Sequence, residues 1–386
     1  MIFSGAFFER QCFEKKGDIR ILGHNNILLM RIFVGQAFDQ ELIPRYGLPF
    51  AADAFSRNLL SGGGFDKSYT ILPTNIRGNL GEVVQDCYEL VYSRWRSKRP
   101  IFARFSFLIE QLMLFRKIHR NDSIWFYNIN YLNFLLFILL ALLKPSAKRN
   151  VLVMDFTPVE KKWCMPTFFL WLMNRANGTI CLSTSKLFTV RNTACLPGVV
   201  PKHIEVYPEI PHPISADFLL SGAIGENISM YESLLIPAFK QMQECTLHIT
   251  GIAHDEEKLL RLIGDTPNIR YYGKMPYKDY FQKMHEIPFL LSTRNPAYPE
   301  NKCNFPSKII EGLLHNRIVL STLHYPQLEG IRYLECPTQV DAFVKYVRDM
   351  LKRKDILSFA NQSNLVRERF SAEVWNQVMT RIEEYE

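Results

Sequence analysis

The chain has 386 residues, 47% of them hydrophobic and 22% charged, a balance that suits two globular domains and excludes an intrinsically disordered protein. Its eight cysteines form no C-x-x-C pair and its nine histidines show no metal-ligand spacing, so neither a disulfide framework nor a metal site is expected, and the thiols are read as free in a reducing compartment. The formal charge of +8 is uneven, with 26 basic against 16 acidic residues over 1–215 and 20 against 22 in the remainder.

In residues 1–26 charged residues interrupt every apolar run, so no signal peptide is expected. The first convincing strand is Ile27–Val34, and Gly35 just past it is a point where backbone can come close to a ligand. A helix follows over Ala51–Leu60. The run Ser61-Gly62-Gly63-Gly64 follows that helix and precedes a strand, the reverse of the order a phosphate loop requires, and is read as a helix C-cap and turn. Strands at Ser68–Pro73, Ser123–Tyr127, Val151–Asp155 and Thr179–Ser183 alternate with helices at Phe105–His119, Tyr131–Leu143 and Pro166–Asn174.

Much of the basic excess falls in residues 94–120, where Arg94, Arg96, Lys98, Arg99, Arg104, Arg116, Lys117 and Arg120 interleave with aromatic and aliphatic residues. A segment of this kind suits peripheral contact with an anionic membrane. The alternatives are a solvated basic helix face, or nucleic acid, for which no recognised motif accompanies the patch. The apolar stretch Tyr131–Leu143 is shorter than the roughly 20 residues a spanning helix needs. It is read as a helix buried against parallel strands or, alternatively, as an interfacial one.

The prolines between 197 and 213 break both periodicities and mark a linker. It divides the chain into domains at 1–210 and 211–365, with 366–386 as a closing helical segment. Ala372–Tyr385 carries Val374, Trp375, Val378 and Ile382 as an apolar stripe.

Beyond the linker, a strand at 247–251 ends on Gly251, a polar helix covers 254–264, and Asn268–Gly273 follows. A helix at 277–285, a strand at 287–292, a helix from 304 to 314 and a strand at 317–321 complete a βα alternation, which indicates a doubly wound parallel sheet. Ligands bind such sheets beyond the carboxyl ends of the strands, where Gly251, Gly273, Arg294 and the 305–308 turn fall.

The helix at 304–314 is the most informative segment. Asn304 suits its cap and Pro306 its first turn, while Ile309, Ile310, Leu313 and Leu314 form an apolar face. Its N-terminal amides, with Ser307 and Lys308, can hold a phosphate. Glu311, one turn beyond Lys308, can accept from sugar hydroxyls. Read alone, the segment also fits an ordinary capped helix, with Glu311 complementing the dipole and Lys308 solvated.

Residues 218–321 resemble the C-terminal nucleotide-sugar-binding domain of GT-B glycosyltransferases, in particular the retaining "glycosyl transferases group 1" family of bacterial capsule and exopolysaccharide assembly. Four segments carry the resemblance in order: Leu219-Leu220-Ser221-Gly222, Ile249-Thr250-Gly251, Asn268-Ile269-Arg270-Tyr271-Tyr272-Gly273 and Phe305-Pro306-Ser307-Lys308-Ile309-Ile310-Glu311. The N-terminal half is similar more loosely, through Ile32-Phe33-Val34-Gly35 and Gly47-Leu48-Pro49. The resemblance implies an α/β fold of two Rossmann-like doubly wound parallel-sheet domains facing across a cleft, with an N-terminal acceptor domain, a C-terminal donor domain and a final helix returning to the first.

It also implies that Gly35, Gly222, Gly251, Gly273, Phe305, Ser307, Lys308 and Glu311 bind a UDP- or GDP-linked sugar donor, and that neither a metal nor a separate cofactor is needed. Arg294 and Lys308 would stabilise the departing phosphate. Asp155, at a strand end, would orient the acceptor or face the sugar, or else is a turn-forming residue before Thr157-Pro158. The acceptor would be a saccharide or lipid-linked saccharide, with the protein in the cytoplasm or peripheral on the inner face of the membrane.

Two departures stand out. The family's first acid, eight residues before Glu311, is Cys303 here, with Glu300 nearby, and no basic residue lies between Gly222 and Phe239. They keep a second expectation open, a binding or scaffold protein with the same fold. A UDP-sugar 2-epimerase is a third, for which no cleft acids and histidines can be located.

Overall fold

In a computed structural model, the described residues are 30–38, 41–73, 76, 88–93, 100–154, 156, 164–200, 209–210 and 213–385. Asp155, Arg94, Arg96, Lys98, Arg99, residues 1–26 and most of the proline-rich segment lie outside them.

The first lobe contains β1 (Arg31–Gly35), α1 (Leu42–Tyr46), α2 (Phe50–Ser61), β2 (Lys67–Ile71), β3 (Glu89–Val91), α3 (Pro100–Lys117) and β4 (Ser123–Tyr127). It continues with α4 (Phe134–Leu143), β5 (Lys148–Val153), α5 (Met165–Met173), β6 (Gly178–Cys181) and β7 (Thr193–Cys195). Its seven strands are all parallel, in the order β3-β2-β1-β4-β5-β6-β7.

In the second lobe β8 (Asp217–Ile224) leads into α6 (Glu226–Ser229), a π-helical turn at Tyr231–Leu235, α7 (Ile236–Gln241), β9 (Thr246–Ala253), α8 (Glu256–Ile263) and β10 (Ile269–Tyr271). Then come α9 (Tyr277–Glu286), β11 (Phe289–Ser292), α10 (Glu300–Cys303), α11 (Ser307–Leu314), β12 (Ile318–Ser321), β13 (Leu334–Glu335), α12 (Val340–Leu351) and α13 (Ser363–Phe370). This six-stranded sheet is also parallel, in the order β10-β9-β8-β11-β12-β13. The last helix, α14 (Ala372–Glu384), lies against the first lobe.

Alternation within the strands decides the layers. In the first sheet Ile32, Val34, Ile124, Phe126, Val151 and Val153 face α3, α4 and α5, while Phe33, Trp125, Tyr127 and Leu152 face α2 and α14. The second sheet packs Phe218, Leu220, Leu247 and Phe289 against α7 and α12, and turns Leu219, Leu290 and Val319 toward α9 and α11. One apolar cluster runs from Trp125 and Trp375 through Leu196 and Val199 to Phe305 and Ile309, so the two lobes share a core on this side.

The attachment of α14 is unusually polar. Buried Glu383 accepts from Arg31 Nε at 2.8 Å, Ser123 Oγ at 2.6 Å and Trp125 Nε1 at 2.7 Å. Burial alone would raise its carboxyl, but the Arg31 guanidinium and these donors hold it below the usual carboxylate range. Trp375 Nε1 donates to the Gly198 carbonyl at 2.8 Å, and Asn376 to that of Gly62 at 3.1 Å.

Several boundaries move. The helix expected from Phe105 begins at Pro100, and the one expected from Tyr131 begins at Phe134, because Asn130 and Asn133 close a turn on their own backbone. That helix buries Leu136, Phe137 and Leu140 but exposes Leu142 and Leu143. As expected, the Ser61–Gly64 run ends a helix, with Gly62 as its C-cap and Gly63 at φ +68°.

Candidate active site

Each sheet reverses its strand order once, between β1 and β4 and between β8 and β11, and these are the points where open α/β sheets hold ligands. In the second lobe the register shows how the crevice opens. Pairing between β8 and β11 stops at Leu220 and Leu291, whereas pairing between β8 and β9 continues to Ile224 and Ala253. Past Leu220 the two strands at the switch point therefore diverge.

Three of the singled-out glycines meet there. Gly222 and Gly251 are register partners, at φ +109° and +133°, and the Gly251 N–H donates to the Gly273 carbonyl at 2.8 Å. From the sequence both strands are expected to end at Ser-Gly and Thr-Gly. Instead the strands run on for two residues, because glycine lets the backbone take a conformation closed to other residues without breaking the ladder.

Lys308 lies in the first turn of α11, which begins on Pro306 with no side-chain cap. Its ammonium donates to Glu311 Oε2 at 2.6 Å and to the Tyr280 hydroxyl at 3.3 Å, and stands 4.5 Å from the centre of the Tyr280 ring. The Tyr280 hydroxyl is also 3.2 Å from Ser221 Oγ, on the residue just past the last β8–β11 pair. Burial by itself would depress Lys308, but the Glu311 carboxylate and the Tyr280 oxygen outweigh it and hold the ammonium above the ordinary lysine range. Tyr280 shifts upward, through burial and then through Glu311. The result is a fixed cation with a half-buried carboxylate beside it, at the mouth of the crevice.

Arg294 lies just past β11. Its guanidinium donates to Asn301 Oδ1 at 3.2 Å, and Asn301 in turn donates to the carbonyls of Asn227 and Asn295. Ser307 is exposed beside Lys308, and Phe305 is buried with its ring 4.9 Å from that of Tyr325.

Asn304 is the clearest departure from expectation at the site. Pro306 occupies the cap position of α11, and Asn304 Oδ1 instead accepts from the backbone N–H of Phe156 in the first lobe at 2.8 Å. Cys303 is buried, with its sulfur 3.6 Å from Ser185 Oγ of the first lobe. Glu300 accepts from Asn227 Nδ2 at 2.9 Å, which ties α10 to the start of α6. The segment before α11 therefore packs against the opposite lobe.

In the first lobe, Gly35 ends β1 at that sheet's own switch point. It borders a small recess with Gln36, Tyr127, Asn130 and Asn133, and a Cβ there would fall 2.1 Å from the Phe33 ring. Asp155, proposed from sequence at this edge, lies outside the described residues. Tyr280 and Asn301 were missed: nothing in their local pattern separates them from solvated helix positions, and only the tertiary fold brings them to the crevice.

No protein-family model and no curated protein sequence matches the chain. Solved structures do. The lipopolysaccharide outer core galactosyltransferase WaaB superposes with a TM-score of 0.58 at 16% identity, covering 92% of this chain and 99% of that one. The E. coli trehalose-6-phosphate protein bound with UDP-2-fluoro glucose gives 0.57 at 10% identity, covering 92% and 99%. S. aureus TarM, in complex with fondaparinux, alpha-GlcNAc-glycerol and UDP, gives 0.51 at 14% identity over 75% of this chain, which spans only 59% of TarM's length. The two parallel sheets and this likeness agree on the architecture expected from the sequence: the chain has the GT-B fold, two Rossmann-like lobes facing across a cleft.

Proposed function

We propose that this protein is a retaining glycosyltransferase that moves a sugar from a UDP- or GDP-linked donor to a saccharide or lipid-linked saccharide acceptor in surface polysaccharide synthesis. The observation that carries the reading is Lys308, held between Tyr280 and Glu311 at the uncapped start of α11, beside the crevice that opens past Leu220.

Cleavage of a sugar–diphosphate bond puts negative charge on the leaving phosphate and cationic character on the sugar. Groups that grip the phosphate more tightly as that charge develops lower the barrier. In this reading the Lys308 ammonium and the Ser307 and Lys308 amides do that work, and Arg294, just past β11, assists. Glu311 keeps Lys308 charged and, when the donor binds, turns to the ribose hydroxyls. Gly222 and Gly273, where a Cβ would meet nothing within 4 Å, leave room for the diphosphate to approach the backbone, and Gly251 lets β9 lie close against β8 beside them. A departing phosphate that takes the acceptor's proton removes the need for a strong general base.

The substitution of Cys303 for the acid expected eight residues before Glu311 favours a second reading, a donor-binding protein of low activity. A thermal-shift screen with UDP, GDP, ADP and CMP, followed by an assay for nucleotide release from the matching sugar donors, separates the two. A ligand bound only by the native state raises the melting temperature. Stabilisation by UDP or GDP with release of that nucleotide supports the transferase; stabilisation without release supports the binding protein. No shift with any nucleotide contradicts both.

A further inference from the structure

We propose that the outer surface of the α3–α4–α5 layer docks on an anionic lipid bilayer. This rests on surface chemistry alone and is independent of the nucleotide-sugar reading.

Exposed residues Phe102, Phe105, Ile109, Leu112 and Met113 follow one another along α3 at helical spacing, so they form a single stripe. Arg116, exposed, continues that stripe at its C-terminal end. Among its described residues the opposite side of α3 is buried: Leu114 enters the core, as does Ile118 just past the helix, and buried Glu110 accepts from the Ser93 N–H at 2.8 Å. The helix thus buries one side in the lobe and presents a second apolar side outward. The neighbouring helices extend the surface. Leu142 and Leu143 are 71% and 57% exposed at the end of α4, and Trp171 is 50% exposed on α5, with the Arg175 guanidinium 4.3 Å from its ring centre. Apolar patches of this extent mark interaction sites.

Charge selects the occupant. Across residues 100–120, 131–149 and 164–177 the sequence holds a single acid, Glu110, and that acid is buried. The exposed charges that the three helices themselves carry are positive, with Arg116, Arg120 and Arg175 around the apolar rows, while Lys117 is paired with half-exposed Glu89 of β3. A second copy would set positive against positive, and a neutral apolar partner would leave the basic fringe without use. An anionic bilayer takes both parts, apolar side chains below the headgroups and cations among the phosphates. Among the described residues no helix is long and apolar enough to cross the membrane, so the contact lies in its plane.

Co-sedimentation of the full chain with vesicles, in the absence of nucleotide, tests this. The protein is expected to pellet with phosphatidylcholine vesicles containing roughly 30% phosphatidylglycerol, to remain in solution with phosphatidylcholine alone, and to bind less as salt rises. The pair Leu142→Ser and Leu143→Ser should lower binding at least about tenfold, and so should Arg116→Glu with Arg120→Glu. All four side chains project into solvent, so an unchanged melting temperature is expected and shows that folding is retained. Absence of binding to the anionic vesicles, equal binding to neutral ones, or binding indifferent to both pairs would overturn the proposal. A concentration-dependent dimer that the Leu142 and Leu143 changes dissolve would overturn it too, and assign the face to a second copy.

Discussion

Gly251 and Gly222 stand opposite each other on β9 and β8 so closely that a Cβ on Gly251 would lie 1.8 Å from the Gly222 carbonyl oxygen. Both residues have positive φ, yet a Cβ on Gly222 would meet nothing within 4 Å. The two positions therefore separate backbone strain from collision. Gly222→Ala should cost about 1–3 kcal/mol, the strain alone. Gly251→Ala adds a backbone clash and should cost more than about 3 kcal/mol. Denaturant unfolding of the two variants checks the order.

Removing the charge of Glu383 strands Arg31, which is 2% exposed. Glu383→Gln should lose roughly 3–5 kcal/mol, the usual result of breaking a buried pair from one side. The native carboxyl is held low by Arg31, Ser123 and Trp125 against the opposing effect of burial. Its stabilisation is therefore complete above the unfolded carboxyl value and fades as pH falls through the native one. Chemical denaturation from pH 7 down to pH 3 should show that acid-limb loss in the wild type and less of it in the variant.

His315 gives a second pH signature. Burial, then His285, Arg317 and Lys308, push its imidazole down to about 3. The unfolded chain binds a proton near pH 6.5 that the folded chain refuses, so stability falls as pH drops below about 6.5, by at most roughly 1.4 kcal/mol per pH unit from this group. His315→Gln should flatten the slope between pH 6.5 and pH 5, where few carboxyls titrate. An unchanged slope in urea titrations at the two pH values would show that His315 is not the source.

Asn304 ties the candidate site to the first lobe through the Phe156 N–H. Asn304→Ala removes that bond, worth about 1 kcal/mol, and should bias the lobes toward separation about fivefold. Faster limited proteolysis between the lobes, with a melting temperature lowered by no more than about 4 °C, is the expected result.

Much of this fold is legible in the amino-acid sequence. Ser123–Tyr127 appears as a strand with the same bounds because five consecutive apolar or hydroxylated residues sit between turn residues, and both faces are covered. Strands β3, β7 and β13 escaped notice, since two or three residues show no period and only a neighbouring strand makes them strands. At the site, Lys308 and Glu311 were legible because helical spacing alone puts them together. The role of Asn304 was not, for an asparagine two residues before Pro306 suits a helix cap locally, and only the opposing lobe reveals the better partner. The Tyr280 hydroxyl was hidden for the same reason: it comes from a different helix.

The central claim is that Lys308 receives the diphosphate of a nucleotide sugar. Isothermal titration of UDP and GDP into the wild type and Lys308→Ala, with melting temperatures as the control for folding, addresses it most directly. The account predicts that one of the two nucleotides binds the wild type and that Lys308→Ala weakens it by about 10–100-fold, the value of a charged hydrogen bond. Equal affinity in both proteins would contradict it.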